Sequence, residues 1–355
     1  MGLNPDFWRG RRILLTGHTG FKGAWLALWF ERLGADVTGL ALAPDTEPSL
    51  FRLLEPWPRL RSIIGDVRDA DAVRTAVAAA APEIVFHMAA QALVRRGYRD
   101  PAATVATNVL GTANVLEAAR GGEGLRAVVV VTSDKCYENA GPGRAFVEDD
   151  PLGGRDPYSA SKACQEIVAH AWRRSFFGAG GAALATARAG NVIGGGDWAE
   201  DRLLPDVFRA LARNEPVRLR RHDATRPWQH VLEPLAGYLT LAATLADKGA
   251  APPALNFGPD PGDVRPVAWV VERVLERWGD APPWQPAGEP GPAEAGDLTL
   301  DAGLANASLG WRPRLGVAEA LDWTVEWHRG HAAGDDARAL TLAQIERYER
   351  LVEGP

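Results

Sequence analysis

A chain of 355 residues is long enough to bury a large core, as one two-lobed unit or as two domains. Its net charge of −6 and pI near 5.7 weigh against general nucleic-acid binding, so an anionic ligand must be held by local arginines rather than by the overall field. No apolar run approaches the roughly 20 residues that span a bilayer, and the first dozen residues are too polar for a signal peptide. Two cysteines, Cys136 and Cys164, give neither a disulfide framework nor metal-ligand spacing, so the expectations are a cytoplasmic protein, no metal and no membrane.

Residues 12–16 read as a short buried strand that enters a turn with glycines at 17, 20 and 23. Residues 21–33 show helical apolar spacing, closed by Gly34. A second strand is expected over 36–42, a third over 62–65, a helix over 70–80, a strand over 83–87 and a helix over 102–119. The run at 127–132 is wholly apolar, as a central parallel strand must be. A long helix follows Pro157, and 182–188 reads as a sixth strand. Strands alternating with helices of this length predict an α/β fold with a doubly wound parallel sheet. After about residue 190 the alternation breaks at Gly194-Gly195-Gly196-Asp197 and again in the Pro- and Gly-rich stretch 279–296. Helices are expected there over 203–213, 233–245, 267–278, 317–328 and 340–351, forming a smaller C-terminal lobe over the carboxyl ends of the strands.

The segment Gly17-His18-Thr19-Gly20-Phe21-Lys22-Gly23 joins a strand to a helix, where glycines permit a tight turn and the helix N-terminus offers free N–H groups to a pyrophosphate. The same glycines serve a plain strand-to-helix turn equally well. The second strand ends without the acid that binds the adenine ribose of NAD, and without an arginine that favours NADP. Asp66 and Val67, after the third strand, stand where a carboxylate meets adenine. A dinucleotide is expected, held loosely, with NAD and NADP both open. Lys22 is read either as a phosphate ligand or as a solvated first-turn side chain.

Only four of the basic residues are lysines, against 35 arginines, so each retained lysine marks a place where a compact, deprotonatable cation has a use. Lys22 lies in the glycine turn, Lys135 follows the apolar strand, and Lys162 stands four residues after Tyr158. Tyr158 and Lys162 share one face of the helix begun by Pro157, and an ammonium beside a phenol lowers the phenol pKa toward neutrality. Standing alone, Tyr-x-x-x-Lys is merely an amphipathic spacing; here it falls about 25 residues after the strand that ends Thr132-Ser133, inside the α/β pattern.

On these residues the chain resembles the extended short-chain dehydrogenase/reductase family over nearly its whole length. The resemblance implies a Rossmann fold and a hydride-transfer site on NAD(P). Ser133 is to bond the substrate oxygen, Tyr158 to exchange its proton and Lys162 to bind the nicotinamide ribose. It further implies that Asn108 supports this lysine and that the segment containing Ala89, Ala90 and Gln91 lies against the cofactor.

The residues after Ser133 sharpen the comparison. Asp134 and Lys135 add an acid and a base beside the hydroxyl, where loss of water needs two further proton transfers. Sugar-nucleotide 4,6-dehydratases carry an Asp-Glu pair here, and Asp134-Lys135 resembles the variant of their CDP-glucose branch, as do residues 17–25, 149–162, 188–201 and 225–231. The resemblance implies C4 oxidation of CDP-glucose, removal of the C5 proton by Lys135, protonation of the leaving C6 hydroxyl by Asp134, and hydride return to C6 with no net use of cofactor. Such a base must be neutral; the other reading is a charged Lys135 that orients Asp134. The product that the resemblance implies is CDP-4-keto-6-deoxyglucose, a deoxysugar precursor of the kind used for lipopolysaccharide O-antigen.

Asn191 and Arg226 match positions that hold a substrate diphosphate, Arg226 being suited to bidentate phosphate bonding; Arg202, Arg218 and Arg220 are read either as helpers at that site or as surface arginines. Trp198 and Trp228 are read either as stacking on base or sugar or as core, and His230 as structural rather than catalytic, since the proton-transfer roles are already filled. Gly97 replaces an expected Ser and Arg155 an expected His, and the stretch 139–147 lacks expected aromatics. The implied organisation is a Rossmann domain over 8–190 completed by roughly 222–262, a substrate lobe from 191–221 and 263–335, and a C-terminal helix over 336–355. Family members pair through the helix bearing Tyr158 and its neighbour, implying a homodimer or homotetramer. The alternatives are a nucleotide-sugar epimerase or reductase of the same superfamily, and a non-catalytic NAD(P)-sensing protein.

Overall fold

The computed structural model describes residues 3–139, 141, 143–178, 181–287 and 298–354. Residues 288–296 of the Pro- and Gly-rich stretch, Ala140 and Pro142 of the 139–147 stretch, and the extreme residues 1, 2 and 355 lie outside them.

After a short α1 (Pro5–Trp8), β1 (Arg12–Thr16), α2 (Phe21–Arg32), β2 (Asp36–Ala41), α3 (Leu50–Leu53), β3 (Leu60–Ile64), α4 (Ala70–Ala80) and β4 (Ile84–His87) alternate. Next come α5 (Val94–Arg99), α6 (Pro101–Val105), a π turn (Ala106–Leu110), α7 (Gly111–Ala119), β5 (Ala127–Val131), α8 (Pro157–Ser175), β6 (Ala183–Ala189) and β7 (Asn191–Ile193). The helix expected over 102–119 is therefore interrupted by a π turn around Asn108. The remainder consists of α9 (Leu203–Ala212), β8 (Arg218–Leu219), β9 (Thr225–His230), α10 (Leu232–Lys248), β10 (Ala254–Phe257), β11 (Val264–Pro266), α11 (Val267–Trp278), β12 (Gln285–Pro286), α12 (Gly303–Leu309), α13 (Val317–Ala332) and α14 (Ala337–Glu353).

Seven strands form one parallel sheet in the order β10-β6-β5-β4-β1-β2-β3. The order reverses between β1 and β4, which opens a crevice at the carboxyl ends of the strands. β5, fully buried Ala-Val-Val-Val-Val, is central because both of its faces meet helices. One face packs on α2 and α10, where Trp25, Trp29 and Phe30 are wholly buried; the other packs on α4, α7 and α8 through Val77, Val115, Leu116 and Ala169. A third cluster, with Val207, Phe208, Val270, Val274 and Leu321, is the core beneath α9, α11 and α13.

Two features have no counterpart in the sequence reading. β10 is the seventh strand, paired with β6. A three-stranded sheet, β11-β9-β7, carries the chain from the main sheet toward the C-terminal helices. Its central strand contains Pro227, a residue that argues against a central strand unless pairing constrains it. Among the described residues no helix is long and apolar enough to cross a membrane.

Candidate active site

A cleft of about 1040 Å³ lies at the carboxyl ends of β1, β4, β5 and β6 and reaches beneath α9 and β8. Its floor begins at the glycine turn. Gly17 adopts φ +79°, and a Cβ there would come within 2.8 Å of the Ala89 amide nitrogen; at Gly23 it would fall 2.0 Å from the Gly17 carbonyl oxygen. The turn is thus tight enough that only glycine fits, and it presents the first turn of α2 to the cleft. Gly17, Gly20, Phe21, Lys22, Gly23, Asp66, Val67, Ala89, Ala90 and Gln91 all line it. Arg68 holds the Asp66 carboxyl below the usual range through bonds of 2.8 and 2.5 Å.

His18 does not line the cleft, contrary to its expected role at the cofactor. Its ring is wholly buried beneath β2, with Nε2 2.7 Å from Ser62 Oγ and its edge against Phe51, and burial lowers its pKa to about 4. Gly39 makes the space: a Cβ there would meet the imidazole at 2.4 Å. A glycine inside a strand signals such a close approach, and Gly39 was the available clue. Lys22 is half-buried at the cleft wall. Its Nζ donates to the hydroxyl of buried Tyr238 at 3.0 Å, and burial, then the charges of Lys162 and Arg202, lower its pKa to about 7.

α8 places Tyr158 and Lys162. Asp156 caps it, accepting from the Ser159 amide at 3.0 Å, and Pro157 occupies the first turn. Tyr158 is nearly buried, and that burial raises its phenol pKa to about 12; a hydrogen bond with Ser133 and the charge of Arg202 act in the opposite sense. The expected depression of the phenol pKa by Lys162 is not what the structure presents. The lysine Nζ instead donates to Gln165 Oε1 at 2.9 Å and to the Val131 carbonyl at 3.4 Å, and burial lowers its own pKa to about 8.

Gln165 begins a buried polar chain. Its Nε2 donates to Thr112 Oγ1 at 2.8 Å, His87 Nε2 lies 2.9 Å from the same oxygen, and His87 Nδ1 lies 2.8 Å from Thr16 Oγ1. Thr112 Oγ1 donates its single proton to the Asn108 carbonyl at 2.6 Å, so His87 must donate from Nε2 and accept at Nδ1. Thr16 Oγ1 in turn accepts from the amides of Met88 and Ala89. Lys162 is thereby tied, one donor to one acceptor, to the end of β1. Asn108, expected to support this lysine, reaches it through its carbonyl, Thr112 and Gln165, while its side chain bonds the Gln91 backbone and Ser161 Oγ and fixes the segment beside the cleft.

Ser133 ends β5. Its Oγ donates to Asp134 Oδ1 at 2.9 Å and accepts from the Lys135 amide at 3.2 Å. Asp134 is 2% exposed, and Oδ2 has no hydrogen-bond partner among the described residues; it faces Gly190, where a Cβ would stand 3.1 Å away. A buried carboxylate oxygen without a partner at a cleft wall is suited to a ligand hydroxyl. Lys135 Nζ lies 3.7 Å from Asp134 Oδ1. Behind this segment a buried Glu166–Arg188 pair, 2.8 Å apart, bonds Thr132 Oγ1 and the Tyr137 hydroxyl, which fixes both ends of residues 132–137. Neither residue was singled out from the sequence.

On the far side, Asn191, Arg202 and Arg226 line the cleft, Arg202 paired with Asp197 at 3.0 Å. Trp198, half-buried and edge-on to Trp327, and buried Trp228 both line the cleft, whereas His230 lies between Trp25 and Trp323 with its pKa lowered by burial to about 3 and belongs to the packing. The roof had no signal in the sequence. α5 lies across the cleft, with Arg95 3.1 Å from Asp201, Arg99 2.7 Å from Glu200 and Arg96 3.9 Å from Asp45. Gly97 lets it approach the Tyr158 backbone, where a Cβ would stand 3.2 Å from the amide nitrogen.

Residues 13–258 match the NAD dependent epimerase/dehydratase family. The chain is 46% identical to a CDP-glucose 4,6-dehydratase of Salmonella typhimurium, over 98% of each chain. It also superposes on the UDP-glucose 4-epimerase of Thermus thermophilus in complex with NAD, with a TM-score of 0.77, 27% identity, and coverage of 90% of this chain and 99% of the other. The dTDP-glucose 4,6-dehydratase of Streptomyces venezuelae matches with a TM-score of 0.77 over 92% and 99% at 24% identity, a likeness of fold.

Proposed function

The chain belongs to the NAD-dependent epimerase/dehydratase family, and from that membership we propose that it is a lyase converting CDP-glucose to CDP-4-keto-6-deoxyglucose with NAD as a recycled cofactor. The observation that carries the reading is the pair Asp134 and Lys135 beside Ser133 and Tyr158, with Asp134 Oδ2 unpartnered at the cleft wall. An epimerase or reductase has no use for that added acid and base.

The glycine turn, Asp66, Gln91 and Lys162 fit a dinucleotide, which when bound supplies a hydride acceptor for C4 and afterwards a donor for C6. Tyr158 takes up the C4 hydroxyl proton, while Ser133 bonds the same oxygen. The C4 ketone acidifies the C5 hydrogen, which Lys135 removes and later returns. Asp134 delivers a proton to the C6 hydroxyl, which departs as water. Asn191, Arg202 and Arg226 hold the diphosphate.

In this reading the Rossmann unit comprises residues 8–190 completed by about 222–262, with 191–221 and 263–335 as substrate lobe and 336–355 as a C-terminal helix. Exposed Val105, Leu110 and Ile167, on α6, the π turn and α8, support pairing of two copies through these helices. The unpaired cysteines suit a reducing cytoplasm, and the product suits deoxysugar synthesis for an O-antigen.

The test is mass spectrometry of CDP-, dTDP-, UDP- and GDP-glucose incubated with enzyme and NAD in heavy water. Loss of water from CDP-glucose with one deuterium at C5 and no NADH accumulation is expected; epimerisation without dehydration would refute the reading.

A further inference from the structure

The dehydratase reading, on which this inference rests, asks two different things of residues 132–137. Ser133 serves the C4 oxidation with Tyr158, whereas Asp134 and Lys135 serve the later loss of water. Both proton carriers stand on one tight turn, Asp134–Cys136, capped by Ser133 Oγ on the Lys135 amide at 3.2 Å. So short a turn holds its side chains only as firmly as its two ends are held. The Ser133 end continues β5, and Thr132 Oγ1 there donates to buried Glu166. The Lys135 end leaves the sheet. The Gly153 amide donates to the Cys136 carbonyl and the Glu138 amide to the Pro151 carbonyl, both at 2.9 Å, and Tyr137 pairs with Leu152. Residues 151–153 are themselves a loop, so this pairing alone does not place the turn against the sheet.

We propose that Tyr137 is a positioning residue for the dehydration step, its hydroxyl being the tie that fixes Asp134 and Lys135 against the sheet. Tyr137 is buried, with its ring stacked on Phe146 at 4.9 Å, and its hydroxyl reaches two strands at once. Arg188 Nη1, on β6, donates to the hydroxyl at 2.7 Å, and the hydroxyl donates to Asn256 Oδ1, on β10, at 2.7 Å. These directions are forced. A guanidinium can only donate, and Asn256 commits Nδ2 to the carbonyls of Phe146 and Asp301 at 3.0 and 3.2 Å, which leaves Oδ1 to accept. Arg188 is in turn locked by two bonds to Glu166, at 3.0 and 2.8 Å, the same carboxylate that receives Thr132. Both ends of the turn are therefore referred to one buried ion pair, but through different bonds. Thr132 holds the end that serves oxidation, and the Tyr137 hydroxyl holds the end that serves dehydration. Loss of that one oxygen loosens Asp134 and Lys135 while Ser133 keeps its place, and small misplacements of reacting groups are costly.

The test compares Y137F, which keeps the ring and loses the oxygen, with F146L, which disturbs the same packing and leaves the hydroxyl bonds in place. CDP-6-deoxyglucose has no C6 hydroxyl to lose, so with enzyme and NAD it reports C4 oxidation alone, read from the absorbance of the NADH formed. Y137F is expected to oxidise this analogue at a nearly unchanged rate. With CDP-glucose it is expected to slow dehydration by about 10- to 10²-fold, with C5 deuterium exchange slowed alongside and NADH now accumulating. F146L is expected to lower the thermal midpoint without changing the ratio of the two rates. Equal slowing of oxidation and dehydration in Y137F, including loss of both through misfolding, would overturn the proposal. So would a Y137F that slows neither, or the same change of ratio in F146L. Failure of the unaltered protein to dehydrate CDP-glucose would instead defeat the dehydratase reading, and it shows before either variant is made.

Discussion

Lys162 and Gln165 lie one turn apart on α8, and the buried ammonium donates to the amide oxygen over 2.9 Å. Gln165 thus sets where the charge of Lys162 points, and its other end is committed to Thr112. Burial has lowered the Lys162 pKa to about 8, so activity that needs the ammonium declines as pH rises through that value. Q165E places an anion against the ammonium and stabilises its charged form. The basic limb of the kcat/KM pH profile is expected to move upward by about one unit or more; a profile that stays in place would show that Lys162 does not govern it.

The two added proton carriers separate by isotope. D134N retains the base and is expected to keep C5 deuterium exchange while losing dehydration by about 10²–10⁴-fold. K135M is expected to lose both. Mass spectrometry of recovered CDP-glucose reads the difference, and exchange that survives in K135M would return Lys135 to the role of orienting Asp134.

Four histidines are buried and held neutral: burial lowers His18 to about 4 and His87, His230 and His328 to about 3. In the unfolded chain each takes a proton below about pH 6.5. The unfolded state therefore binds more protons between pH 6.5 and 4, and stability present above 6.5 is lost as pH falls through this window, by at most ~1.4 kcal/mol per pH unit for each histidine. Denaturant midpoints between pH 7 and 5 measure it. H328F, which keeps the stack on Phe208, is expected to flatten the slope by about one proton.

Gly39 and His18 form a contact that a double-mutant cycle can isolate. G39A drives a methyl into the imidazole and is expected to cost about 1–3 kcal/mol. In an H18A background the same substitution is expected to cost far less, since its obstacle is gone. Equal costs in both backgrounds, by thermal or chemical unfolding, would place the strain elsewhere.

What could be read from the sequence was what is local. The glycine turn, the apolar β5 and the Tyr158–Lys162 spacing each occupy a few consecutive residues whose types dictate their geometry. The chain Thr16–His87–Thr112–Gln165 draws on four separate elements, and nothing in the neighbourhood of any one names the next. Lys22 stayed open between a phosphate ligand and a solvated side chain because its partner, Tyr238, lies 216 residues away. Asn108 commits its side chain to Gln91 and Ser161 and reaches Lys162 only through Thr112 and Gln165, an arrangement visible only once the π turn is formed. β9 carries Pro227 because that residue pairs only with Val264 of β11; β7 begins opposite Trp228, so at Pro227 the strand is an edge, where proline is tolerated.

The α5 roof is fastened unequally. Toward Glu200 and Asp201, its arginines make ion pairs of 2.7 and 3.1 Å; toward Asp45 it has only a single exposed pair at 3.9 Å, a contact worth little in water. The loop bearing Asp45 follows β2 and borders the dinucleotide half of the cleft, whereas Glu200 and Asp201 lead into α9 on the sugar-nucleotide half. The seam that opens more easily is therefore on the dinucleotide side. The short ion pairs of α5 thus lie on the sugar-nucleotide side of the cleft, and its dinucleotide side carries the longer one.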